Sequence, residues 1–175
     1  EDHADVDLLE PGFYERMPAD ATGIRDAAKL IAAAKNPLLL AGGGAVSSDA
    51  GEALVRVAEF LQAPVLCTAE GRGAISDRHY LSLGTLWLRN DPIARSSGHD
   101  VILAVGTRMA TPNLLDGQQV VQIDIDKEEL GRNYDKTLGV QGDARAALEA
   151  LHSALSALTL PRPNRQAEVK ALKAR

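Results

Sequence analysis

Short runs of wholly apolar residues alternate with amphipathic helical patterns along this chain, and this alternation constrains the fold more than any other feature. Two of the runs are "LLLA" at 38–41 and the apolar part of "DVILAVG" at 100–106. Strands that are apolar on both faces occur in parallel sheets, where helices between the strands cover both faces. The alternation therefore predicts a doubly wound, Rossmann-like α/β sandwich of three layers, with a parallel sheet of about six strands.

The residue patterns also predict individual elements. Strands are predicted at 38–41, 64–68, 100–106, 119–126 and 138–143. Helices are predicted at 23–35, 48–62 and 144–158, the last with Asp143 as its N-cap. The segment 70–91 has no clean period and predicts a long loop. Asp91 followed by Pro92 predicts the start of a short helix.

Composition excludes several classes of partner. The net charge is −5 and no basic stripe is present, which argues against nucleic acid. No apolar run approaches the roughly 20 residues that a membrane span needs. Cys67 is the only cysteine and lies in the apolar run "PVLCT", so we interpret it as a buried, inert thiol. A cytoplasmic protein fits this cysteine usage.

The two ends of the chain differ in charge from its middle. Residues 1–20 carry seven acids and one base, and residues 161–175 carry five bases and one acid. These segments predict linkers at 1–20 and 160–175 around a central domain at 21–159, with prolines suited to an extended connector at the second. The hypothesis is a domain cut from a longer protein, and frayed termini are the alternative.

Glycines and polar residues follow the predicted strands, at the edge where ligands bind in open parallel sheets. "AGGG" at 41–44 follows the first strand and precedes a helix, as in a nucleotide-phosphate cradle. The same glycines also fit a tight corner that needs no ligand. Asp124 is either an acceptor for ribose hydroxyls or a cap for the turn "KEEL", and Asp49 falls in the first turn of the predicted helix.

Catalytic and metal-binding patterns are missing from the sequence. The histidines are scattered, and no two have the spacing of metal ligands: His3, His79, His99 and His152. No serine occupies a G-x-S-x-G elbow, and no complete phosphate loop of the Walker type is present. The sequence therefore predicts neither a catalytic constellation nor a metal site in this chain.

Taken in order, the strand-end motifs resemble a known family. A-G-G-G, G-x-G-A-I, A-V-G-T-R, I-D-I-D and G-D-A occur in sequence between residues 20 and 158. This ordered set is similar to the central domain of thiamine-diphosphate-dependent enzymes, with the acetolactate synthase, glyoxylate carboligase and benzoylformate decarboxylase group as the closest in pattern. Any single motif is weak, and the ordered set is specific.

The resemblance implies a division of labour in a longer parent enzyme. Family members have three α/β domains, and the first and third hold the pyrimidine and diphosphate of the cofactor across a subunit interface. Thiamine diphosphate and magnesium are therefore expected in the parent alone, with the pyrimidine- and diphosphate-binding domains as partners in a homo-oligomer. "GDA" at 142–144 is not followed by the N-N pair of the family's metal motif, so no thiamine catalysis is expected from this chain by itself.

In some relatives the central domain binds FAD or ADP, and in others it binds nothing. Carried over position by position, the resemblance implies that the glycine turn faces the diphosphate of the nucleotide and that residues beside the second predicted strand line the flavin. It also implies that residues after the third predicted strand clamp phosphate and ribose, and that residues at the ends of the last two predicted strands contact adenosine. The residues implied in these roles are Gly42, Gly43, Gly44, Thr68, Gly84, Gly106, Thr107, Arg108, Asp124, Gly142 and Asp143. "GTRMATP" departs from the flavin-binding G-x-R-F-D-D-R, and "LGTLW" departs from G-M-H-G.

Three functional hypotheses follow. The first is a mainly structural middle domain of a thiamine-dependent carboligase or decarboxylase, which is a transferase or lyase. The second is a module of the same family that binds FAD or ADP by itself. The third is a free-standing nicotinamide-dependent dehydrogenase, which the incomplete glycine fingerprint disfavours.

Overall fold

A computed structural model describes residues 15–85, 98–110, 114 and 116–174 of the chain. The helix predicted to start at Asp91 lies outside these residues.

Six parallel strands form a single sheet, as the apolar runs predict. The strands are β1 (Pro37–Ala41), β2 (Val65–Cys67), β3 (Ser82–Thr85), β4 (Val101–Val105), β5 (Gln119–Asp124) and β6 (Thr137–Gln141). Their order across the sheet is β3-β2-β1-β4-β5-β6. The chain therefore winds outwards from β1 in one half and from β4 in the other, so the doubly wound Rossmann-like class is confirmed.

The described residues also form five α-helices. They are α1 (Ala21–Ala33), α2 (Gly43–Ser47), α3 (Gly51–Leu61), α4 (Ala144–Leu158) and α5 (Gln166–Lys173), with a 3₁₀ turn at Lys127–Glu129. The helices α1 and α3 each pack against α4. Every residue of β1 and β4 is buried, because these two strands lie at the centre of the sheet.

The segment 70–91, which is predicted to be a loop, contains the strand β3, so the prediction was wrong for the residues of that strand. The strand reads "SLGT", in which two polar residues and a glycine hide the apolar signal of an edge strand. Gly84 has φ +81°, and the register against β2 shifts between Val65 and Cys67. Gly84 therefore supplies the left-handed residue of a β-bulge. This backbone role accounts for a glycine at position 84 and requires no ligand there.

The helix predicted at 48–62 is α3 in the structure, which begins at Gly51, and a separate short helix, α2, precedes it at Gly43–Ser47. Between α2 and α3, Asp49 adopts φ 52°. The amide of Ala50 donates to the carbonyl of Ala45 at 2.9 Å, which closes α2 and leaves no room for a continuous helix. Asp49 therefore lies at the corner between the helices, and its predicted place in the first helical turn was wrong.

The segment after α4 is not extended throughout, which differs from the connector expected at 160–175. It forms α5, and the Val169 side chain is 1% exposed within the core cluster. Arg162 donates to the carbonyls of Ile31 at 3.2 Å and Ala34 at 2.7 Å, where α1 ends. A guanidinium at this position supplies donors to the last carbonyls of the helix, of which that of Ile31 also accepts from the Ala34 amide.

Cys67 is buried at 4% exposure, as predicted for an inert thiol. Burial, followed by the negative charge of Asp77, raises the pKa of this thiol to about 11. A thiol with such a pKa stays protonated at neutral pH and is a poor nucleophile.

The burial of Val169 predicts that residues after 160 stabilise the domain. Val169→Ala should lower the free energy of unfolding by about 1–3 kcal/mol, because it removes buried methyl groups and leaves a cavity. The matched control is Leu160→Ala, since Leu160 is 82% exposed in the same segment. Urea unfolding followed by circular dichroism measures both variants, and equal losses would contradict the prediction.

Candidate functional site

A cavity of about 340 Å³ opens at the carboxyl edge of the sheet, between α2 and the start of α4. It lies beside the ends of β1 and β4, where the two halves of the fold diverge. Ligands of doubly wound domains bind at this location. The residues that line it are Arg16, Gly44, Ser47, Ser48, Gly106, Asp124, Ile125, Gly142, Asp143 and Ala144.

The cavity brings together part of the predicted site. The predicted residues that line it are Gly44, Gly106, Asp124, Gly142 and Asp143. The predicted residues that are not among its lining are Gly42, Gly43, Thr68, Gly84, Thr107 and Arg108. The residues of the first set lie at the ends of strands that meet at one edge of the sheet. Several residues of the second set instead make structural contacts in the turns around the cavity.

The glycines after β1 pack against the end of β4. A Cβ atom on Gly42 would lie 2.3 Å from the Gly106 carbonyl oxygen, and one on Gly44 would lie 2.8 Å from the Gly106 Cα. Gly106 itself has φ +57°, and a Cβ there would lie 2.5 Å from the amide nitrogen of Ala45. The space that side chains would occupy is filled by backbone, so these glycines are needed for a close approach of two turns.

Hydrogen bonds hold the same two turns together. The amide of Gly44 donates to the Gly106 carbonyl at 3.0 Å, and the amide of Gly42 donates to the Val105 carbonyl at 2.8 Å. The amide of Ala45 donates to the carbonyl of Gly42 at 3.1 Å. The amides of Gly42, Gly44 and Ala45 are therefore already partnered within the chain.

Asp143 is the N-cap of α4, as its position before the helical pattern predicts. Its carboxylate accepts from the amides of Arg145 and Ala146, both at 3.1 Å. It also forms an ion pair with Arg16 at 3.1 Å, and the guanidinium donates to the Ser48 carbonyl at 2.6 Å. The Asp143 side chain is 2% exposed, so its charge is held by a helix N-terminus and a cation together.

Sequence reasoning missed Arg16 because it lies in the segment interpreted as a linker. It is the only base among the seven acids of residues 1–20, and no motif surrounds it. Its position as the one base of an acidic segment was the available signal, and that position does not identify a partner. Only the fold shows that the acid is Asp143, 127 positions further along the chain.

Asp124 is half-buried at the end of β5. Its pKa is raised by burial, and the carboxylates of Glu129 and Asp126 add to the effect. One carboxylate oxygen accepts from the amide of Asp126 at 3.0 Å. The cap of the 3₁₀ turn is Asp126, whose carboxylate accepts from the Glu128 amide, so the capping alternative considered for Asp124 was wrong.

The predicted residues outside the cavity lining contribute to the turns around it. The Thr68 hydroxyl accepts from the amide of Gly71, and the Thr107 hydroxyl accepts from the amide of Met109. Arg108 is exposed, and its carbonyl accepts from the side-chain amide of Asn133. The guanidinium of Arg108 is not part of the cavity lining, so the charge that the prediction placed beside the phosphate is absent from this wall.

The lining of the cavity does not fit a nucleotide diphosphate. A diphosphate needs free amides or cations. The described lining has one cation, Arg16, which is paired with Asp143, and a second acid, Asp124. These groups accept or share hydrogen bonds, so the cavity suits hydroxyl groups better than an anion.

Metal-ligand clusters and membrane-spanning helices are both absent from the described parts of the chain. No group of three or more His, Cys, Asp or Glu side chains there is arranged to hold a metal ion. None of the helices described is both long and apolar enough to cross a bilayer.

A parallel doubly wound sheet with a cavity at its switch point defines this chain as a Rossmann-like α/β domain. Within that class, residues 24–151 match the family described as the central domain of thiamine pyrophosphate enzymes. The match extends over more than half of the chain. The chain belongs to this family, which confirms the resemblance of its ordered motifs.

Individual relatives agree with the family match. The probable acetolactate synthase large subunit of Methanocaldococcus jannaschii is 36% identical over 165 residues, covering 90% of this chain and 28% of that protein. Glyoxylate carboligase of Escherichia coli O157:H7 is 31% identical over 160 residues, covering 82% of this chain and 26% of that protein. This chain therefore spans less than a third of the length of these relatives.

A solved structure supports the fold. The crystal structure of benzoylformate decarboxylase from Polynucleobacter necessarius superposes with a TM-score of 0.72 at 22% identity. The alignment covers 94% of this chain and 32% of that chain. At this identity the likeness concerns the fold alone.

The close packing of the two turns predicts different effects for neighbouring glycines. Gly42→Ala should lower the free energy of unfolding by about 2–3 kcal/mol, because the new methyl group meets backbone that cannot move aside. Gly43→Ala is the matched control, since a Cβ there would lie 3.1 Å from the Cβ of exposed Glu70. We expect a change below about 1 kcal/mol for the control. Chemical unfolding of both variants measures the difference in the free energy of unfolding. A loss for Gly42→Ala as small as that of the control would contradict the close packing of the two turns.

The double role of Asp143 predicts a graded loss of stability. Asp143→Ala should cost about 1–3 kcal/mol, because it removes the helix cap and leaves Arg16 unpaired. Asp143→Asn should cost less, since asparagine also caps helices and only the ion pair is lost. Thermal and urea unfolding compare the two. If the two variants lost equal stability, the cap would not contribute.

Proposed function

We propose that this chain is the structural middle domain of a thiamine-diphosphate-dependent carboligase or decarboxylase of the acetolactate synthase type. The observation that carries the proposal is the family match over residues 24–151. The 36% identity to a probable acetolactate synthase large subunit supports this group as the source of the parent's chemistry. The parent would be a transferase or a lyase.

In this proposal the chain contributes no residue to the thiamine chemistry. The pyrimidine- and diphosphate-binding domains of the parent would hold thiamine diphosphate and magnesium, and they would be the partners of this domain. The parent would be a homo-oligomer. A single cysteine, buried and protonated, fits a cytoplasmic location for the parent.

The positions of the segments before α1 and after α4 support a spacer role. Arg16 is held at the carboxyl edge of the sheet by its contacts with Asp143 and Ser48. Arg162 is held at the opposite edge, where α1 ends and β1 begins. The two segments thus leave from opposite edges of a sheet whose central strands are fully buried. A rigid domain with this geometry keeps its neighbours in the chain apart.

The second hypothesis is a module that binds FAD or ADP. The observation in its favour is the cavity at the switch point, where nucleotides bind in this class of fold. The lining opposes it, because Asp124 and Asp143 repel a diphosphate and Arg16 is already paired. The spacer is therefore the function that the geometry supports best.

A titration separates the two functions. ADP and FAD are titrated into the pure chain by calorimetry, and we expect no binding tighter than about 1 mM, since the one cation in the described lining, Arg16, is paired with Asp143. Binding in the micromolar range that Arg108→Ala weakens would instead establish the nucleotide module.

The absence of thiamine chemistry is tested in a separate assay. The chain is incubated with thiamine diphosphate, magnesium and pyruvate, with an intact acetolactate synthase as the positive control. We expect turnover from the control alone. Turnover by this chain would contradict the spacer proposal whatever the result of the nucleotide titration.

A further inference from the structure

The segment 15–20, which we call the entry segment, lies against the carboxyl edge of the sheet just before α1 begins. The amide of Asp143 donates to the Met17 carbonyl at 3.0 Å, and the amide of Asp20 donates to the Gln141 carbonyl at 2.9 Å. These bonds join the entry segment to the end of β6 and to the residue that caps α4. The backbone of the entry segment is therefore fixed beside the cavity at the carboxyl edge.

The guanidinium of Arg16 extends from the entry segment into the wall of this cavity. Its Nη1 donates to the Ser48 carbonyl at 2.6 Å, and it lies 3.1 and 3.2 Å from the two carboxylate oxygens of Asp143. We call the Ser48 carbonyl and the Asp143 carboxylate the cation cradle. One nitrogen of Arg16 thus serves three oxygens that come from the ends of two different helices.

Two of the three cradle oxygens have Arg16 as their only hydrogen-bond donor among the described residues. The Oδ1 atom of Asp143 also accepts from the amides of Arg145 and Ala146, whereas Oδ2 accepts from Arg16 alone. The Ser48 carbonyl likewise accepts from Arg16 alone. Because the Asp143 side chain is 2% exposed, its charge needs a partner within the protein. A cation with N–H donors meets this need.

Contacts that do not involve the Arg16 side chain hold the cradle together. The amide of Ser48 donates to the Gly44 carbonyl at 3.1 Å, which fixes the end of α2. The amide of Arg145 donates to the Ser48 hydroxyl at 3.2 Å and to Asp143 Oδ1 at 3.1 Å, which joins α2 to the start of α4. Removing the Arg16 side chain therefore leaves the cradle oxygens in position.

The charges around the cradle also favour a cation. The lining contains two carboxylates, Asp124 and Asp143, against the single guanidinium of Arg16. Arg145 is close in sequence, but its guanidinium pairs with Glu149 at 3.2 Å and the residue does not line the cavity. No group of three or more metal-ligating side chains is present in the described part of the chain. The donor set thus fits an organic cation that donates hydrogen bonds better than a metal ion.

We propose that the cation cradle is a binding site for an organic cation of the guanidinium type, and that Arg16 is its tethered occupant. While Arg16 is seated, the site is closed to cations from solution, because a tethered group has an effective concentration of about millimolar or higher. The seated side chain also fixes the path of the entry segment, so Arg16 is a positioning residue. The site does not depend on the spacer role proposed above.

Arg16→Ala in the full 175-residue chain tests the site. Ethylguanidinium is titrated to about 50 mM at constant ionic strength, and the backbone NMR shifts of Arg145 and Ala146 are followed, since their amides donate to Asp143. We expect saturable binding to the variant with a Kd of about 1–10 mM, and no saturable shift in the wild type. The absence of saturable shifts in the variant would overturn the proposal, and so would equal binding to the wild type.

Three controls assign the binding to a charge in the cradle. Ethylurea has a similar shape without the charge and should not bind. Arg25→Ala removes an exposed cation of α1, whose guanidinium donates to the Thr22 hydroxyl, and should behave as the wild type. Asp143→Asn combined with Arg16→Ala should weaken ethylguanidinium binding at least about tenfold, because asparagine keeps the cap and removes the charge. Binding of ethylurea, or unchanged affinity in the double variant, would contradict a cation site.

A measurement on the wild-type chain keeps the test decisive if Arg16→Ala does not fold. The guanidinium protons of arginine are observed by NMR at low temperature. The Nη protons of Arg16 should be resolved from one another, because three acceptors at Nη1 hinder rotation of the group. Those of exposed Arg25 should be averaged. Averaged signals for Arg16 would show that it does not occupy the cradle and would overturn the proposal.

Discussion

The close approach of Gly42 and Gly44 to Gly106 is the contact on which the rest of this domain depends. It joins the turn after β1 to the turn after β4, the two strands from which the halves of the sheet are wound. Backbone occupies the space that side chains would need, and the Gly44 amide is bonded to the Gly106 carbonyl. The packing aligns the strand ends and forms one wall of the cavity at the carboxyl edge. The glycine turn is therefore a structural corner in this chain, although it occupies the place of a phosphate cradle.

The segments outside the central elements secure the opposite edges of the sheet. Arg16 compensates the buried carboxylate of Asp143 at the carboxyl edge. At the amino edge, Arg162 caps the final carbonyls of α1, and Val169 fills part of the core. In both cases a cation far away in sequence satisfies acceptors of a helix terminus or its cap. These contacts hold parts of the two flanking segments against the core, which suits the proposed spacer, since a spacer must transmit a fixed geometry.

Particular elements show what the sequence could predict. The apolar runs identified β1, β2, β4, β5 and β6, because strands buried on both faces need apolar residues throughout. The edge strand β3 was missed, since "SLGT" carries a bulge glycine and polar residues. Asp143 was identified as an N-cap because that role depends on the next few residues alone. Arg16 and the capping role of Arg162 were missed, since their partners lie more than a hundred positions away.

The sequence by itself determined the family, the parallel α/β class and the strand-end positions of the candidate residues. Local periodicity and an ordered set of short motifs carry that information. The tertiary structure decided which of those residues share a cavity, and that the glycine turn is filled by the chain's own backbone. It also decided that Arg16 lines the cavity and that Val169, in the segment after 160, is buried in the core. Close approaches and charge pairs depend on distances between remote segments, which local patterns do not contain.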